Sequence, residues 1–275
     1  MYNLAIRGHD ISKAASVEEM ALFMKTSGIS NIQFAMNVSL PGIDTSGPAL
    51  NPGMGTYFKN LFARNGIQIG ILSCYNNLIH PDLKERESIL KKFESYLRHA
   101  QYFGAPMVAS ETGSVIPELG YTTANFTDEV FQDLVHVVNR LVKSGERYNT
   151  IVAIEAGLNH PLYSVDRTKE LIDSVNSDFL GIILDPTNLV TAATHESMVS
   201  LVTEAFELYG DKIVALHLKD YVIENNQIHP VCFGDGIIRY QEILDIVSKK
   251  KPYCYIVLEE TKDEGILKAR KILNG

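Results

Sequence analysis

Four metal-capable side chains close four consecutive apolar segments in the second half of the chain. They are Glu155 in TIVAIE, Asp185 in LGIILD, His217 in IVALHL and Glu259 in YIVLEE. Carboxylate oxygens and one imidazole nitrogen together suit Mn²⁺, Zn²⁺, Mg²⁺ or Co²⁺ and leave coordination positions open for substrate oxygens. Because three carboxylates gathered without a cation would repel one another, the pattern predicts that these groups share one divalent metal ion.

Each of these residues has an ordinary structural explanation when it is taken alone. An acid after a strand is commonly a loop residue or a helix cap, Asp185-Pro186-Thr187 is typical of a turn, and a single His is more often a core residue than a ligand. Four successive strands that end this way favour a shared site. Glu260 directly follows Glu259 and points to the other side of the strand, so a shift of one residue would exchange their roles.

Eight apolar segments of strand length recur along the chain, at spacings of roughly 30 residues that match one βα unit. They are YNLAIRG (2–8), NIQFAM (31–36), IQIGIL (67–72), PMVASE (106–111), TIVAIE (150–155), LGIILD (180–185), IVALHL (213–218) and YIVLEE (255–260). Nearly continuous apolar runs are typical of parallel strands covered on both faces. Amphipathic helical patterns lie between them. The alternation predicts an α/β fold, a (β/α)8 TIM barrel, as a single domain over residues 1–275.

Capping residues and one turn support this assignment. Ser16 and Thr127 stand where helices should begin, and glycines stand where helices should end, at Gly28, Gly66, Gly104 and Gly145. Within the long connection after the seventh strand, YVIENNQIHPV is typical of a small hairpin that turns at Asn225-Asn226. A doubly wound sheet is the alternative, but the chain has no GxGxxG motif after the first strand.

Composition excludes several classes of protein. The net charge is −8, which opposes binding to a phosphate backbone. The three cysteines form no CxxC pair, so a reducing cytoplasm is the expected compartment. The N-terminus does not have the pattern of a signal peptide, and no apolar run approaches the roughly 18 residues of a membrane span. We therefore expect neither a nucleic-acid nor a membrane partner.

The segments AIEAGLNHPLYS, GIILDPTNLV, ALHLKD, FGDGIIRYQEIL and YIVLEE resemble the sugar-phosphate isomerase/epimerase superfamily, the xylose-isomerase-like TIM barrels. The similarity covers essentially the whole chain, with its specific motifs in the second half. In that group a Glu, an Asp, a His and a Glu from the last four strands hold one divalent metal ion. The resemblance therefore implies this role for Glu155, Asp185, His217 and Glu259, with the two glutamates as the catalytic acid/base pair.

The chain departs from the ketose 3-epimerases of that group at three positions. Those enzymes have a His three residues after the Asp, an Arg six residues after the metal His, and a Glu six residues after the first ligand. The corresponding residues in this chain are Asn188, Ile223 and Pro161. Endonuclease IV, another member, needs further His and acidic ligands for three metal ions, which we cannot assemble from this sequence.

Further polar residues near the strand ends are candidates for binding substrate. They are Arg7, His80, Glu111, His160, Asn188 and Lys219. Arg7, Glu111, His160 and Lys219 each have an alternative role as an ion-pair partner or a cap. Asp220, directly after Lys219, is a candidate to support the metal-binding His or else to cap the loop.

The residues and the resemblance predict an isomerase or epimerase of a small sugar, sugar phosphate or polyol, which moves a proton through a metal-stabilised enediolate. A metal-dependent lyase similar to inosose dehydratase is the first alternative, and a sugar-binding barrel without activity is the second. A metal-dependent phosphodiesterase or nuclease is the third. Barrels of this kind are often dimers or tetramers, and the sequence leaves a homodimer or homotetramer open.

Overall fold

The computed structural model describes residues 1–274, and ten β-strands lie within them. The strands are β1 (Asn3–Arg7), β2 (Asn31–Phe34), β3 (Gln68–Ser73), β4 (Met107–Glu111), β5 (Ile151–Glu155), β6 (Leu180–Leu184), β7 (Ile213–Leu218), β8 (Asp220–Glu224), β9 (Gln227–Val231) and β10 (Tyr255–Leu258). Eight of them form a closed parallel barrel in the order β1-β10-β7-β6-β5-β4-β3-β2. The remaining two, β8 and β9, form a separate antiparallel hairpin.

Nine α-helices accompany these strands within residues 1–274. They are α1 (Val17–Ser27), α2 (Met36–Ser39), α3 (Pro52–Arg64), α4 (Leu83–Phe103), α5 (Asp128–Tyr148), α6 (Val165–Val175), α7 (Met198–Tyr209), α8 (Tyr240–Lys250) and α9 (Glu264–Asn274). Apart from the four-residue α2, one helix follows each barrel strand. This alternation confirms the predicted single-domain TIM barrel. None of the helices in residues 1–274 is long and apolar enough to cross a membrane.

The capping predictions are confirmed at most helix ends. Ser16 and Thr127 accept hydrogen bonds from backbone N–H groups in the first turns of α1 and α5. Gly28 and Gly104 end α1 and α4 with left-handed backbones, at φ of 67° and 70°. The hairpin turns at Asn225-Asn226 as predicted, where both residues have positive φ, as a type I′ turn requires.

The prediction that Gly145 ends the fifth helix is wrong. Helix α5 continues to Tyr148, and Asn149 ends it with a left-handed φ of 53°. Gly145 is instead a packing requirement, because a Cβ atom there would lie 2.5 Å from the carbonyl oxygen of Thr150. The glycine thus allows the chain to turn closely from α5 into β5.

Two apolar layers support the barrel. The larger one lies between the strands and the helices, where for example the Phe34 ring packs edge-on against Phe58 and Phe62 with ring centroids 5.3 and 5.2 Å apart. The smaller one fills the barrel interior and is rich in small residues. Its members are Ala5, Ile71, Met107, Ala109, Ala153, Ile183, Ala215 and Val257. This inner apolar layer lies directly beneath the polar residues at the C-terminal ends of the strands.

Candidate metal centre

The polar residues of the barrel mouth follow the inner apolar layer at a spacing of two residues. Side chains along a strand alternate between the two faces, so a residue two positions further points to the same interior. The pairs are Ala5 and Arg7, Ile71 and Ser73, Ala109 and Glu111, Ala153 and Glu155, Ile183 and Asp185, Ala215 and His217, and Val257 and Glu259. The strands therefore change from an apolar interior to a polar one at a common level.

The structure brings the four predicted ligands together at this level. Glu155, Asp185 and His217 are buried, and each offers a ligand atom within 4.8 Å of the others. His217 Nδ1 lies 3.3 Å from Glu155 Oε2 and 3.0 Å from Glu259 Oε1. One ring nitrogen thus faces two carboxylates, one at the end of β5 and one directly after β10.

A hydrogen bond at the other ring nitrogen, Nε2, sets the tautomer and the orientation of the His217 ring. His217 Nε2 lies 2.8 Å from Gln33 Oε1, and because this amide oxygen only accepts, Nε2 carries the proton. In the neutral ring, Nδ1 then has a free lone pair directed at the carboxylates. This is the arrangement in which a histidine binds a metal ion through Nδ1 while a second group sets its tautomer.

The cluster attracts positive charge strongly. Burial lowers the pKa of His217, but the carboxylates of Glu155 and Glu259 more than offset this and raise it to about 10. Burial likewise raises the pKa of Glu259, yet His217, Lys219 and Arg7 together hold it well below its usual range. The three buried carboxylates repel one another, and the positively charged groups beside them, His217, Lys219 and Arg7, offset that repulsion.

Two buried polar atoms at the centre show that the residues fit a metal ion. Among the described residues, His217 Nδ1 and Asp185 Oδ2 have no hydrogen-bond partner. Asp185 Oδ1, by contrast, accepts from the backbone N–H groups of Thr187 at 2.8 Å and Asn188 at 3.2 Å. Asp185 therefore makes the turn expected of Asp-Pro-Thr and still offers one oxygen to a cation. A buried nitrogen and a buried oxygen that make no hydrogen bond with the described residues are the kind of donors that a divalent ion needs.

Two neutral groups donate hydrogen bonds to Glu155. Tyr75 donates its hydroxyl hydrogen to Glu155 Oε2 at 2.6 Å, and Asn188 Nδ2 donates to Oε1 at 2.9 Å. Burial raises the pKa of Glu155, but the adjacent His217 outweighs it, so that the pKa is lowered overall. Both oxygens are oriented by hydrogen bonds, which holds the carboxylate in one position.

Cations surround Glu259. Lys219 Nζ lies 2.8 Å from Glu259 Oε2, and Arg7 Nη1 lies 3.4 Å from Oε1. Glu260 points elsewhere, with its side chain 36% exposed and its Oε1 2.8 Å from Arg7 Nη2. Of the two adjacent glutamates, Glu259 is therefore the one that faces His217.

A cavity of about 280 Å³ opens above the cluster. Its walls include Glu155 and Glu259 together with four of the predicted substrate-binding residues, namely Arg7, Glu111, Asn188 and Lys219. Its volume is just below the roughly 300–1,000 Å³ typical of ligand pockets. The space suits a small molecule bound directly over the carboxylates.

The other two predicted substrate-binding residues do not line this cavity. His160 is buried behind Glu111, with Nδ1 2.8 Å from the carbonyl oxygen of Gly113 and Nε2 3.6 Å from Glu111 Oε2. Burial lowers the pKa of His160, but Glu111 more than reverses this effect and raises it. His80 lies in the loop before α4, where its ring contacts the backbone of Asp82. His160 therefore orients Glu111, and His80 belongs to the helix start.

Asp220 does not contact His217. Its two carboxylate oxygens accept hydrogen bonds from four backbone N–H groups, at Tyr221, Gly234, Gly236 and Ile238. It therefore holds the loop that follows the hairpin, which was its alternative assignment.

Gln33, Ser73 and Tyr75 are cavity residues that the sequence patterns did not single out. A signal existed for Gln33, since it is a polar residue inside the apolar segment NIQFAM. Ser73 closes β3 two residues after the inner-layer residue Ile71. Tyr75 carries no such signal, because a tyrosine after a strand is common.

Comparison with known proteins agrees with the fold. The family model described as xylose isomerase-like TIM barrel matches residues 24–274. A D-tagatose 3-epimerase-like protein is 17% identical, with a TM-score of 0.77, and the match covers 99% of this chain and 96% of that one. A comparison with curated proteins found no match.

Two further crystal structures are similar over almost the whole chain. The probable 3-DHS dehydratase AsbF from Bacillus anthracis, involved in petrobactin synthesis, is 17% identical with a TM-score of 0.76, covering 100% of this chain and 99% of that one. The IolI protein with a bound zinc atom is 16% identical with a TM-score of 0.75, covering 99% of this chain and 96% of that one. At these identities the likeness shows the shared fold.

Proposed function

We propose that this chain, which belongs to the xylose isomerase-like TIM-barrel family, is a divalent-metal-dependent isomerase or epimerase of a small sugar, sugar phosphate or polyol. One observation carries the proposal: two buried glutamates approach the same nitrogen of His217, at 3.3 and 3.0 Å, at the base of an open cavity. Acid/base chemistry at a carbon next to a carbonyl needs such a pair of carboxylates near one substrate.

The residues that would hold one ion of Mn²⁺, Zn²⁺, Mg²⁺ or Co²⁺ are Glu155, Asp185, His217 and Glu259. The donor set of three carboxylates and one imidazole suits all four metals. When bound, the ion supplies a Lewis acid that polarises a substrate carbonyl. The IolI structure contains zinc, which supports a metal in this kind of barrel.

Glu155 and Glu259 are the proposed catalytic residues. Both glutamates lie beside His217, but Glu155 otherwise accepts hydrogen bonds from a neutral hydroxyl and a neutral amide. Glu259 lies instead against two further cations, Lys219 and Arg7. The two carboxylates thus differ in how readily they take up a proton, which suits an exchange in which one removes a proton and the other returns it. Both carboxylates line the cavity, so each can approach a carbon bound there.

The cavity walls supply the groups that would bind substrate. Arg7 and Lys219 carry positive charge and donate hydrogen bonds, and Glu111 accepts hydrogen bonds from hydroxyl groups. The neutral amide of Asn188 can both donate and accept. This mixture matches a polyhydroxylated molecule.

A lyase that removes water from a keto-polyol is the second candidate. The similarity to a probable dehydratase favours it, as does Tyr75, which lines the cavity and whose hydroxyl, now bonded to Glu155, would serve as a proton donor to a departing hydroxyl. Proton removal by the same glutamates would begin both reactions, so the products distinguish them.

The test is deuterium exchange in heavy water, followed by NMR over a panel of ketoses, their phosphates and keto-inositols, with each of the four metals. We expect the protein to introduce deuterium next to the carbonyl of a substrate. Glu155→Gln and Glu259→Gln should each slow this exchange by at least about 100-fold, since each removes an acid/base group. Glu207→Gln, at an exposed position on α7, is the matched control and should exchange at the normal rate.

The outcomes separate the candidates. Exchange without loss of water supports an isomerase or epimerase, and formation of a dehydrated product supports the lyase. If no compound of the panel exchanges with any of the four metals, the proposed activity is wrong and a sugar-binding barrel becomes the better explanation.

A further inference from the structure

The ammonium group of Lys219 lies among the proposed metal ligands. Its Nζ is 2.9 Å from Asp185 Oδ2, 2.8 Å from Glu259 Oε2 and 2.9 Å from Asn188 Oδ1. The side chain is 11% exposed and enters from the cavity side, two residues after His217. A cation of the chain itself is therefore in contact with two of the four ligands.

Lys219 contacts Asp185 through Oδ2, the carboxylate oxygen that is left to bind a metal ion. Asp185 Oδ1 is held by the backbone N–H groups of Thr187 and Asn188, so it cannot turn towards the centre without breaking that turn. Asp185 Oδ2 accepts no hydrogen bond among the described residues, although Lys219 Nζ lies 2.9 Å away. The ammonium is thus close enough to form an ion pair with this oxygen, but the geometry is not that of a hydrogen bond.

We propose that Lys219 is an intramolecular counter-ion that takes the place of the metal ion in the metal-free protein and leaves Asp185 when the ion binds. The proposal rests on the metal centre of the proposed function. A monovalent ammonium and a divalent ion that share one carboxylate oxygen repel each other strongly in a buried site. The metal ion therefore competes with Lys219 for Asp185.

The surroundings of Lys219 allow it to move. Its four-carbon stem is flexible, and its head borders the open cavity. Asn188 Oδ1 is a neutral partner that retains Nζ after Asp185 is released. Lys219 then remains at the wall of the cavity, where a substrate oxygen can approach it.

The experiment measures metal binding to metal-free protein by titration calorimetry, with Mn²⁺ and Zn²⁺ as probes. Lys219→Met removes the competing charge, and we expect it to bind both ions at least about tenfold more tightly than the natural protein. Lys262→Met is the matched control, because Lys262 carries the same charge near the same barrel mouth but pairs with Glu260. It should bind metal with nearly unchanged affinity.

A second measurement does not depend on activity or on the variant. Crystal structures of the natural protein with and without Mn²⁺ should show Lys219 Nζ beyond hydrogen-bond distance of Asp185 Oδ2 only in the metal-bound form. This comparison also decides the matter if Lys219→Met does not fold.

Several results would overturn the proposal. Equal or weaker metal binding by folded Lys219→Met would show that the lysine supports the metal centre rather than competing with it. Nζ remaining against Asp185 Oδ2 beside a bound ion would have the same meaning. If the natural protein and Lys219→Met both bind neither ion, the metal centre itself is rejected and this inference with it.

Discussion

A single hydrogen bond connects His217 of the metal centre to β2, which is separated from β7 by two strands of the barrel. Gln33 comes from β2 and His217 from β7, so Nε2 is oriented by a strand that supplies no ligand. The bond keeps the proton on Nε2 and so leaves Nδ1 for the ion. One neutral amide thus determines which nitrogen faces the carboxylates.

Gln33→Leu is expected to weaken metal binding by about 10–100-fold without unfolding the barrel. The leucine has a similar volume but cannot accept the Nε2 proton, so the ring loses its preferred tautomer and orientation. Calorimetric titration with Zn²⁺ measures the effect. Gln68→Leu, at the exposed first residue of β3, is the control. Unchanged zinc affinity in Gln33→Leu would show that packing alone orients the ring.

The convergence of four polar side chains at one place was predictable from the sequence, because each follows an apolar run and parallel strands end on the same face. Their partners were not. Tyr75 reaches Glu155 from the loop after β3, and its contact depends on how that loop bends rather than on any periodic pattern. Lys219 directly follows β7, and the reach of its long side chain to Asp185 Oδ2, at 2.9 Å, is likewise not set by the strand pattern.

At the level of strands, the sequence predicted where the strands lie but not how neighbouring strands pair with one another. The predicted strand segments agree with the observed strands within a few residues, since apolar runs bounded by turns define them clearly. The side chains that point inward follow only once the register is known. The register shifts between Ile32 and Gln33 where β2 pairs with β3, and no sequence pattern marks that irregularity.

The hairpin and its following loop depend on Asp220. Asp220 Oδ1 accepts from Tyr221 and Ile238, and Oδ2 accepts from Gly234 and Gly236, all at 2.8 to 3.0 Å. A Cβ atom at Gly236 would lie 2.1 Å from Asp220 Oδ1, so the loop passes directly over the carboxylate. One buried acid thus satisfies four backbone donors that would otherwise be without partners.

Asp220→Asn is expected to lower the free energy of unfolding by roughly 3 kcal/mol. The new amide group would place N–H donors against two backbone N–H groups and leave them without an acceptor. Urea denaturation measures the loss. Asp235→Asn is the control in the same loop, because Asp235 is exposed and pairs with Lys268 at the surface. Equal stability of the two variants would mean that the loop is held by its apolar contacts.

At the scale of the whole molecule, the barrel closes where the first and last strands meet. Asn3, Leu4, Ala5 and Ile6 of β1 pair with Tyr255, Ile256, Val257 and Leu258 of β10. Above this seam Arg7 bridges the two chain ends. Its Nε and Nη2 lie 2.8 and 2.9 Å from the carboxylate of Asp10, and Nη2 also lies 2.8 Å from Glu260 Oε1.

The Arg7 bridge is buried, unlike most ion pairs of this chain. Its side chain is 13% exposed and that of Asp10 only 1%. A guanidinium group has donors for both acids at once, whereas an ammonium is a single point charge that matches neither planar carboxylate in the same way. Removal of one member of a buried pair leaves the other charge unpaired, which is strongly destabilising.

Arg7→Lys is therefore expected to lower the free energy of unfolding by roughly 2 kcal/mol, and Arg7→Met by roughly 3–5 kcal/mol. Urea denaturation of the metal-free protein measures both, so that metal binding does not contribute to the difference. Arg239→Lys is the matched control, since Arg239 also binds one carboxylate through two nitrogens but does so at the exposed surface with Glu242. That change should cost less than about 1 kcal/mol. Equal losses at the two arginines would show that strand pairing alone closes the barrel, and that Arg7 serves only the cavity.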